Sequence, residues 1–360
     1  MEKPIPEKIS SELERVHGAK QLNWLQAARF VAAVLVLIFH VSVHLRNFFG
    51  FRLGVESFVA KLFWAQGVDL FFAISGFVMA SALQTGKVWR FLGNRVLRIY
   101  LPLLIAVGVA LAMQQVVLGQ IPESLALPRA LTLLPFGNIS YPLGVEWSLV
   151  HEVFFYGVIA LLIAVRRPAL QWSLTGIWAA AMLWHGWQTR PASPPILPLG
   201  WEIVVSPFGL CFIAGMLAFR FRARTGLTRS CLVIVFLAGE ITYWNWNPAW
   251  PGILTVLLLA ITWGCAMALL VSVAERHDLA KENLLVRWGD WSYGMYLLHV
   301  PVILVVLGWF YSRQPLRLPY LQVWWIAFAF AMVVSMAFGK LESGIHARIK
   351  RRLAMPKILP

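Results

Sequence analysis

The stretch Arg29–His40, RFVAAVLVLIFH, decides the fold class, because an arginine and a histidine enclose ten residues that are all hydrophobic. Runs of this kind recur along the 360 residues, of which 59% are hydrophobic and only 13% are charged. Soluble domains do not have this composition, and a run of about 20 apolar residues crosses a bilayer as a helix. The sequence therefore predicts an all-α, polytopic transmembrane bundle that forms a single domain over residues 1–360.

The apolar runs predict ten membrane spans. They cover residues 24–44, 60–84, 97–118, 143–165, 170–187, 201–220, 230–246, 249–273, 289–311 and 320–341. Each run has the length that a helix needs to cross the hydrocarbon core.

Lysines and arginines alternate between the connections. The two ends of the chain and every second loop hold 23 of the 31 basic residues, whereas the intervening loops hold seven. Basic loops stay in the cytoplasm, so we expect both termini there, with residues 1–23 as an N-terminal segment and residues 343–360 as a basic tail. This topology explains the formal net charge of +15.

No nucleic-acid-binding motif accompanies the charge, and we expect no nucleic-acid partner.

The three cysteines predict neither a disulfide nor a metal site. Cys211, Cys231 and Cys265 lie singly in apolar spans, without C-x-x-C spacing. Cysteines placed in this way are ordinarily small core residues. We therefore expect no bound metal.

Arg29 and His40 form a polar stripe on the first span. Eleven residues make about three helical turns, so the two side chains share one face about 16 Å apart along the axis. Polar groups in a bilayer are costly unless they are paired or functional. One interpretation is an arginine that reaches the interface and a histidine that a neighbouring helix satisfies. The shared face favours the other, in which Arg29 meets an anionic phosphate and His40 performs chemistry.

The second span carries Asp69 and Ser75 within GVDLFFAISGF. A carboxylate inside an apolar run needs a partner, and His40 is the candidate, because a His–Asp pair fixes the imidazole tautomer for general-base catalysis. Asp69 could instead cap a broken helix or pair with Arg29. Small residues are common at helix contacts in membranes, so this role is favoured for Ser75 over that of a nucleophile.

Arginines follow the second span in WRFLGNRVLRIYLP. Arg90, Arg95 and Arg98 lie at the predicted cytoplasmic mouth, and Arg95 and Arg98 share a helix face. Positive-inside anchoring explains them without any ligand. Beside Arg29, however, they could bind the phosphates of an anionic cytoplasmic donor through charge-assisted hydrogen bonds.

Further polar residues lie in the fourth and ninth spans. Glu152, which we expect to be catalytic, and Tyr156 are one helical turn apart in GVEWSLVHEVFFY, and His151 precedes the glutamate. In SYGMYLLHVP, Pro301 frees backbone carbonyls that His299 could satisfy, so a structural role is favoured for that histidine.

These residues also carry a family resemblance. The stretches LQAARFVAAVLVLIFH, GVDLFFAISGFVM, FLGNRVLRIYLP, VEWSLVHEVFFY and GDWSYGMYLLHVP cover nearly the whole chain. With them the chain resembles the acyltransferase-3 family of membrane acyltransferases, and within it the exopolysaccharide-modifying branch of the ExoZ type. The most specific signature is the arginine, ten residues and histidine, followed by GVDLFF-x-x-SGF. One departure is His151, which stands beside the family's glutamate and leaves the role of the catalytic histidine less secure.

The resemblance implies an O-acyltransferase of the bacterial cytoplasmic membrane, surrounded by membrane lipids. Its co-substrate would be acyl-CoA, most simply acetyl-CoA, with no bound cofactor, and its acceptor a hydroxyl of a polysaccharide or lipid-linked sugar. The pair Arg29 and His40 would be essential, with His40 as the catalytic residue. Arg95 and Arg98 match a cytoplasmic arginine motif. Recurrent positions of unassigned role are Asp69, Ser75, Glu152 and His299.

Two other functions fit parts of the sequence. Polar groups in the bilayer also mark the path of a transporter or flippase for a sugar or lipid-linked sugar, although no inverted repeat is evident. A structural subunit of a polysaccharide-synthesis complex is the other alternative. Release of CoA by the purified protein separates the enzyme from both.

Overall fold

The computed structural model of the chain describes residues 7–50, 66–118, 126–190, 196–221, 229–245, 252–313 and 318–352, and these residues form helices without any β-strand. The α-helices are α1 Glu7–Phe49, α2 Gln66–Ala82, α3 Val88–Leu118, α4 Leu127–Thr132, α5 Glu146–Val165, α6 Pro168–Thr189, α7 Gly209–Phe221, α8 Arg229–Trp244, α9 Gly252–Ala274, α10 Leu284–Tyr311 and α11 Tyr320–Arg352. A short 3₁₀ helix, Gly200–Val205, precedes α7.

The predicted all-α membrane bundle is confirmed at the level of helices. Over the ranges that the structure describes, each of the ten predicted spans overlaps one of the α-helices, and α4 is the α-helix that matches no predicted span. Within those ranges, six helices are long and apolar enough to cross a membrane: Leu22–Phe49, Val88–Val116, Glu146–Val165, Gly252–Ala274, Leu284–Tyr311 and Tyr320–Ile349. The chain is thus a multi-pass membrane protein. The number of ten crossings and the cytoplasmic position of both termini stay predictions.

Several helices are longer than the apolar runs within them. α1 begins at Glu7, inside the predicted N-terminal segment, and α11 continues to Arg352 through most of the predicted basic tail. α3 begins at Val88 and so contains the arginine-rich stretch that the sequence placed before a span. Charged residues continue a helix beyond the membrane because the backbone hydrogen bonds do not depend on hydropathy. The first residues of the predicted span 60–84 lie outside the described ranges.

The predicted span 201–220 is not one continuous helix. The 3₁₀ helix ends before Ser206, which is extended with φ −62° and ψ 124°, and α7 starts only at Gly209. Pro207 is the physical reason, since the residue before a proline is driven out of the helical region. The resulting α7 has 13 residues.

Two glycines bring α2 against α7. A Cβ at Gly76 would collide with the backbone carbonyl of Phe212, and a Cβ at Gly215 would collide with the carbonyl of Ala73. Small residues allow such close backbone approach between membrane helices. This contact fixes which face of α2 is turned toward α7.

Helices α1 and α10 lie side by side and run parallel. Gly289 of α10 packs on the backbone of Gln26, where a Cβ would clash, and ten residues later His299 meets His40. From the first contact to the second, the residue number increases by ten on α10 and by fourteen on α1, so the two helices run in the same direction. The two helices together carry Arg29, His40 and His299, which are described below.

Candidate active site

A cavity lies between α1, α2, α3, α5 and α10, with an empty volume of about 830 Å³ including the solvent at its mouth. Its polar lining consists of Gln26, Arg29, Ser75, Arg95, Arg98, Ser148, Glu152, Tyr293 and Tyr296, and leucine, valine, isoleucine, phenylalanine and methionine side chains line the rest. Along α2 the lining runs from Val68 to Met79, a rise of about 16 Å. The cavity is therefore a long apolar passage with polar groups at defined places.

The arginine end of the cavity contains Arg29, Arg95 and Arg98. Nη1 of Arg29 donates to Oε1 of Gln26 at 3.4 Å, and Nε2 of Gln26 donates to Oδ1 of Asp290 at 2.7 Å. Three of the four arginines predicted for the donor site, Arg29, Arg95 and Arg98, thus line one cavity. Within the described ranges none of the three forms a salt bridge, so their guanidinium groups keep donors for an anion.

Arg95 is held in place by aromatic rings. Only 7% of the residue is exposed, and its guanidinium carbon lies 5.4 Å from the ring centre of Phe91 and 5.5 Å from that of Tyr156. Aromatic faces attract a desolvated guanidinium. Tyr156 in turn donates to Oε1 of Glu152 at 2.5 Å, across the helical turn that the spacing predicted. Glu152 lines the cavity beside the arginines and balances part of their charge.

His40 lies eleven residues after Arg29 on α1 and contacts His299 of α10. Nδ1 of His40 lies 2.9 Å from the carbonyl oxygen of Val36 and 3.1 Å from Nε2 of His299, and Nδ1 of His299 lies 2.7 Å from the carbonyl oxygen of Tyr296. A carbonyl only accepts, so each Nδ1 carries a hydrogen. The Nδ1–H of His40 is then shared between Val36 and the lone pair of His299. The Nε2 of His40 keeps its own lone pair, and no hydrogen bond to it occurs among the described residues.

Tyr296 connects this histidine pair to the cavity. Its hydroxyl lies 2.6 Å from Oγ of Ser148, both residues line the cavity, and its ring centre lies 5.7 Å from that of His299. His40 and His299 themselves are not part of the lining. The cavity thus ends one residue layer from the histidines. His299 was expected to bond a backbone carbonyl that Pro301 frees, which is that of Leu297. It bonds a backbone carbonyl, but that of Tyr296.

The expected contact between Asp69 and His40 is wrong. Asp69 is 2% exposed and accepts from Sγ of Cys211 on α7 at 3.6 Å. The reason is the rotation of α2: Gly67 faces α1 at Ala32 and Val36, and a residue two positions later points about 200° away from that face. His299 occupies the place beside His40 that the sequence assigned to Asp69.

Two other predicted site residues, Ser75 and Arg90, lie apart from the histidine pair. Ser75 lines the cavity, and its Oγ is buried. Arg90 is exposed on α3 and does not line the cavity, so it does not join Arg95 and Arg98.

His151 is fully enclosed, and both of its ring nitrogens are engaged. Its Nδ1 lies 2.9 Å from the Trp147 carbonyl oxygen and its Nε2 lies 3.0 Å from Oγ of Ser206. A histidine whose two nitrogens are satisfied inside the protein supports packing and not proton transfer.

Sequence reasoning did not single out several residues of the site, among them His44, Gln26, Asp290 and Glu342. His44 stacks on His40 at a ring distance of 6.0 Å, and the i, i+4 spacing HVSVH was the available signal. Gln26 and Asp290 bridge α1 and α10 beside Arg29, and Glu342 of α11 interacts electrostatically with Arg98 and Arg29. These three contacts join distant parts of the chain, and no local pattern indicates them.

Comparison with known proteins bears on the chemistry of this site. The chain matches the acyltransferase domain family over residues 22–340. Nodulation protein 10 of Rhizobium leguminosarum bv. viciae is 26% identical over 336 residues, which cover 81% of this chain and 86% of that protein. Acyltransferase MdmB of Streptomyces mycarofaciens is 25% identical over 355 residues, covering 90% of this chain and 89% of that protein. No solved structure matches. Because the family match includes nearly all of the chain, this protein belongs to the acyltransferase-3 family of membrane acyltransferases.

Proposed function

We propose that this protein is an O-acyltransferase that moves an acyl group, most simply acetyl, from cytoplasmic acyl-CoA to a hydroxyl of an extracytoplasmic or lipid-linked carbohydrate. The observation that carries the proposal is one cavity that begins at three arginines and ends at the Tyr296 layer next to His299 and His40. Family membership and the relative named as an acyltransferase support acyl transfer. The bacterial cytoplasmic membrane is the location that this reaction requires, because acyl-CoA is a cytoplasmic compound.

The arginine end suits the phosphates of the donor. Arg29, Arg95 and Arg98 offer guanidinium donors without competing salt bridges in the described ranges, and charge-assisted hydrogen bonds to phosphate are strong. The apolar part of the passage from Ser75 to Val68, about 10 Å along α2, then takes the inner part of the extended pantetheine arm. The thioester reaches the layer formed by Ser148 and Tyr296.

His40 acts as the general base in this mechanism. Its Nε2 lone pair takes the proton of the acceptor hydroxyl as the oxygen attacks the thioester carbonyl. The new C–O bond forms, the C–S bond breaks, and the imidazolium returns the proton to the CoA sulfur. His299 takes the orienting role first expected of Asp69, because its Nε2 accepts the Nδ1–H of His40. The products are the acylated carbohydrate and CoA.

The experiment compares wild-type protein with His40→Ala, reconstituted in lipid nanodiscs with radiolabelled acetyl-CoA. We expect His40→Ala to lose acyl transfer while CoA binding persists, because only the base is removed. His277→Ala is the matched control, since that imidazole is exposed and does not line the cavity, and the substitution keeps the backbone carbonyl that accepts from Trp24.

Near-normal transfer by folded His40→Ala would refute the mechanism. Movement of a sugar substrate without any CoA release would instead favour transport. Mass spectrometry of surface glycans from cells with and without the protein identifies the acceptor and the acyl chain.

A further inference from the structure

Three polar groups of the cavity are buried without a hydrogen-bond partner in the described parts of the chain. They are Oγ of Ser75, Nε of Arg95 and Oη of Tyr293, and all three residues line the same passage. Folded proteins pair nearly all buried polar groups, because an unpaired one has lost its water without compensation. Three hydrogen-bond donors that face one cavity indicate a ligand that supplies acceptor atoms.

Tyr293 lies at the level of the arginines. It follows Gly289, which packs on Gln26, by four residues, and precedes His299, which contacts His40, by six. Side chains on a helix lean toward its N-terminus, so the hydroxyl of Tyr293 is directed back toward Arg29. Electrostatic interactions of Tyr293 with Glu152, Arg98 and Glu342 agree with this position.

Ser75 lies at the same end of the cavity. It follows Gly67, which packs on Ala32 and Val36, by eight residues, or about 12 Å of helix. Met79, one turn further, lines the cavity together with Leu22, so α2 runs toward the arginine end. Along the axis Ser75 is therefore about 20 Å from His40, and that histidine cannot activate it as a nucleophile.

We propose that the hydroxyls of Ser75 and Tyr293, with the Nε–H of Arg95, donate hydrogen bonds to the diphosphate of acyl-CoA. The inference rests on the proposed function and assigns the two hydroxyls as a neutral complement to Arg29, Arg95 and Arg98. A diphosphate carries many acceptor oxygens, and hydrogen bonds to an anion in a low-dielectric site are strong.

The charges around the site explain why neutral donors are useful there. Arg29 interacts electrostatically with Glu152 and Asp290, and Glu342 interacts with Arg98 and Arg29. Three carboxyl groups thus already act electrostatically on these arginines in the empty protein. A further buried cation would need another partner when no ligand is bound, whereas a hydroxyl adds a donor without a charge.

The test measures binding of CoA and of pantetheine, which lacks the diphosphate, to the full chain in nanodiscs. We expect Tyr293→Phe and Ser75→Ala each to weaken CoA binding about tenfold, the loss typical of one hydrogen bond to a charged group. Pantetheine binding should not change in either variant. Ser335→Ala is the matched control, because Oγ of Ser335 is also buried and unpaired in the described residues but lies outside the cavity.

A thermal unfolding measurement separates ligand binding from a structural role. Because the two hydroxyls have no hydrogen-bond partner among the residues that the structure describes, Tyr293→Phe and Ser75→Ala should unfold at the wild-type temperature or above it. A lower unfolding temperature with unchanged CoA affinity would overturn the inference.

Equal losses for CoA and pantetheine would also overturn it, since the hydroxyls would then contact the pantetheine amides. Wild-type protein that binds no CoA would refute the proposed function itself. Wild-type binding that both variants retain in full would refute this inference alone.

Discussion

The contact between His299 and His40 leads to a quantitative prediction for His299→Phe. The substitution keeps a ring in a site that is 2% exposed and removes the acceptor for the Nδ1–H of His40, 3.1 Å away. A hydrogen bond between neutral groups contributes about 1 kcal/mol, which corresponds to about fivefold in rate. The carbonyl of Val36 at 2.9 Å still holds the Nδ1–H, so the tautomer is kept. We therefore expect acyl transfer to slow by only about fivefold.

Removal of the base itself is expected to cost far more. His40→Ala should lower the rate of acyl transfer by about 10²- to 10⁴-fold, the usual contribution of a general base. The double variant should be no slower than His40→Ala alone, since His299 acts through the imidazole that is already gone. The assay is transfer from labelled acetyl-CoA at saturating donor concentration, with CoA affinity measured in parallel.

Two results would refute this reasoning. If His299→Phe lost as much activity as His40→Ala, His299 would itself carry the proton. If the two losses multiplied in the double variant, the histidines would act independently, and the shared hydrogen would have no catalytic role. A reduced CoA affinity in His299→Phe would indicate a disturbed contact between α1 and α10 instead.

Three further predictions concern the donor site, packing and topology. Arg98→Gln should weaken acyl-CoA binding about 10- to 100-fold, because a charge-assisted contact is lost. Arg90→Gln changes an exposed residue and should bind acyl-CoA like wild type. Equal acyl-CoA affinities of the two variants would mean that Arg98 only anchors the topology. Gly76→Ala should lower the free energy of unfolding by about 1–3 kcal/mol, because its Cβ would meet the backbone of α7. Gly157→Ala is the control, since a Cβ there has open space. Equal unfolding temperatures of the two variants would contradict the close contact. A reporter fused after Pro360 should be active only in the cytoplasm, and periplasmic activity would reverse the topology.

The helices were predictable from the sequence because each apolar run had to form its own hydrogen bonds in the bilayer. The common helix of Arg29 and His40 and the one-turn pair Glu152 and Tyr156 followed from spacing alone. Local information sufficed for these features, because all the atoms involved lie on one helix.

The partner of His40 could not be predicted in the same way. Asp69 and His299 are both polar residues on other spans, and hydropathy does not state how a neighbouring helix is rotated. Gly67 and Gly76 fix that rotation through contacts with α1 and α7, and both contacts join separate segments of the chain. Asp69 consequently faces Cys211, while His299 reaches His40.

His40 and His151 show why residue type alone does not identify a base. In each, Nδ1 lies 2.9 Å from the carbonyl oxygen four residues earlier, at Val36 and Trp147 respectively. The difference is on the other nitrogen, since Nε2 of His151 meets Ser206 across 55 residues of sequence. Only that distant hydroxyl turns one of two locally similar histidines into a structural residue.

The position of the arginine and the histidine on one continuous helix has a mechanical consequence. α1 is unbroken from Glu7 to Phe49, so the axial separation of Arg29 and His40 is fixed at about 16 Å. α10 repeats the arrangement, because Asp290 binds Gln26 beside the arginine and His299 binds His40. Two parallel helices joined at both ends cannot change the distance between Arg29 and His40 without breaking one of these contacts. In the proposed mechanism, the length of these helices would therefore set the reach that the pantetheine arm needs, and the side chains between them would need only to leave the passage open.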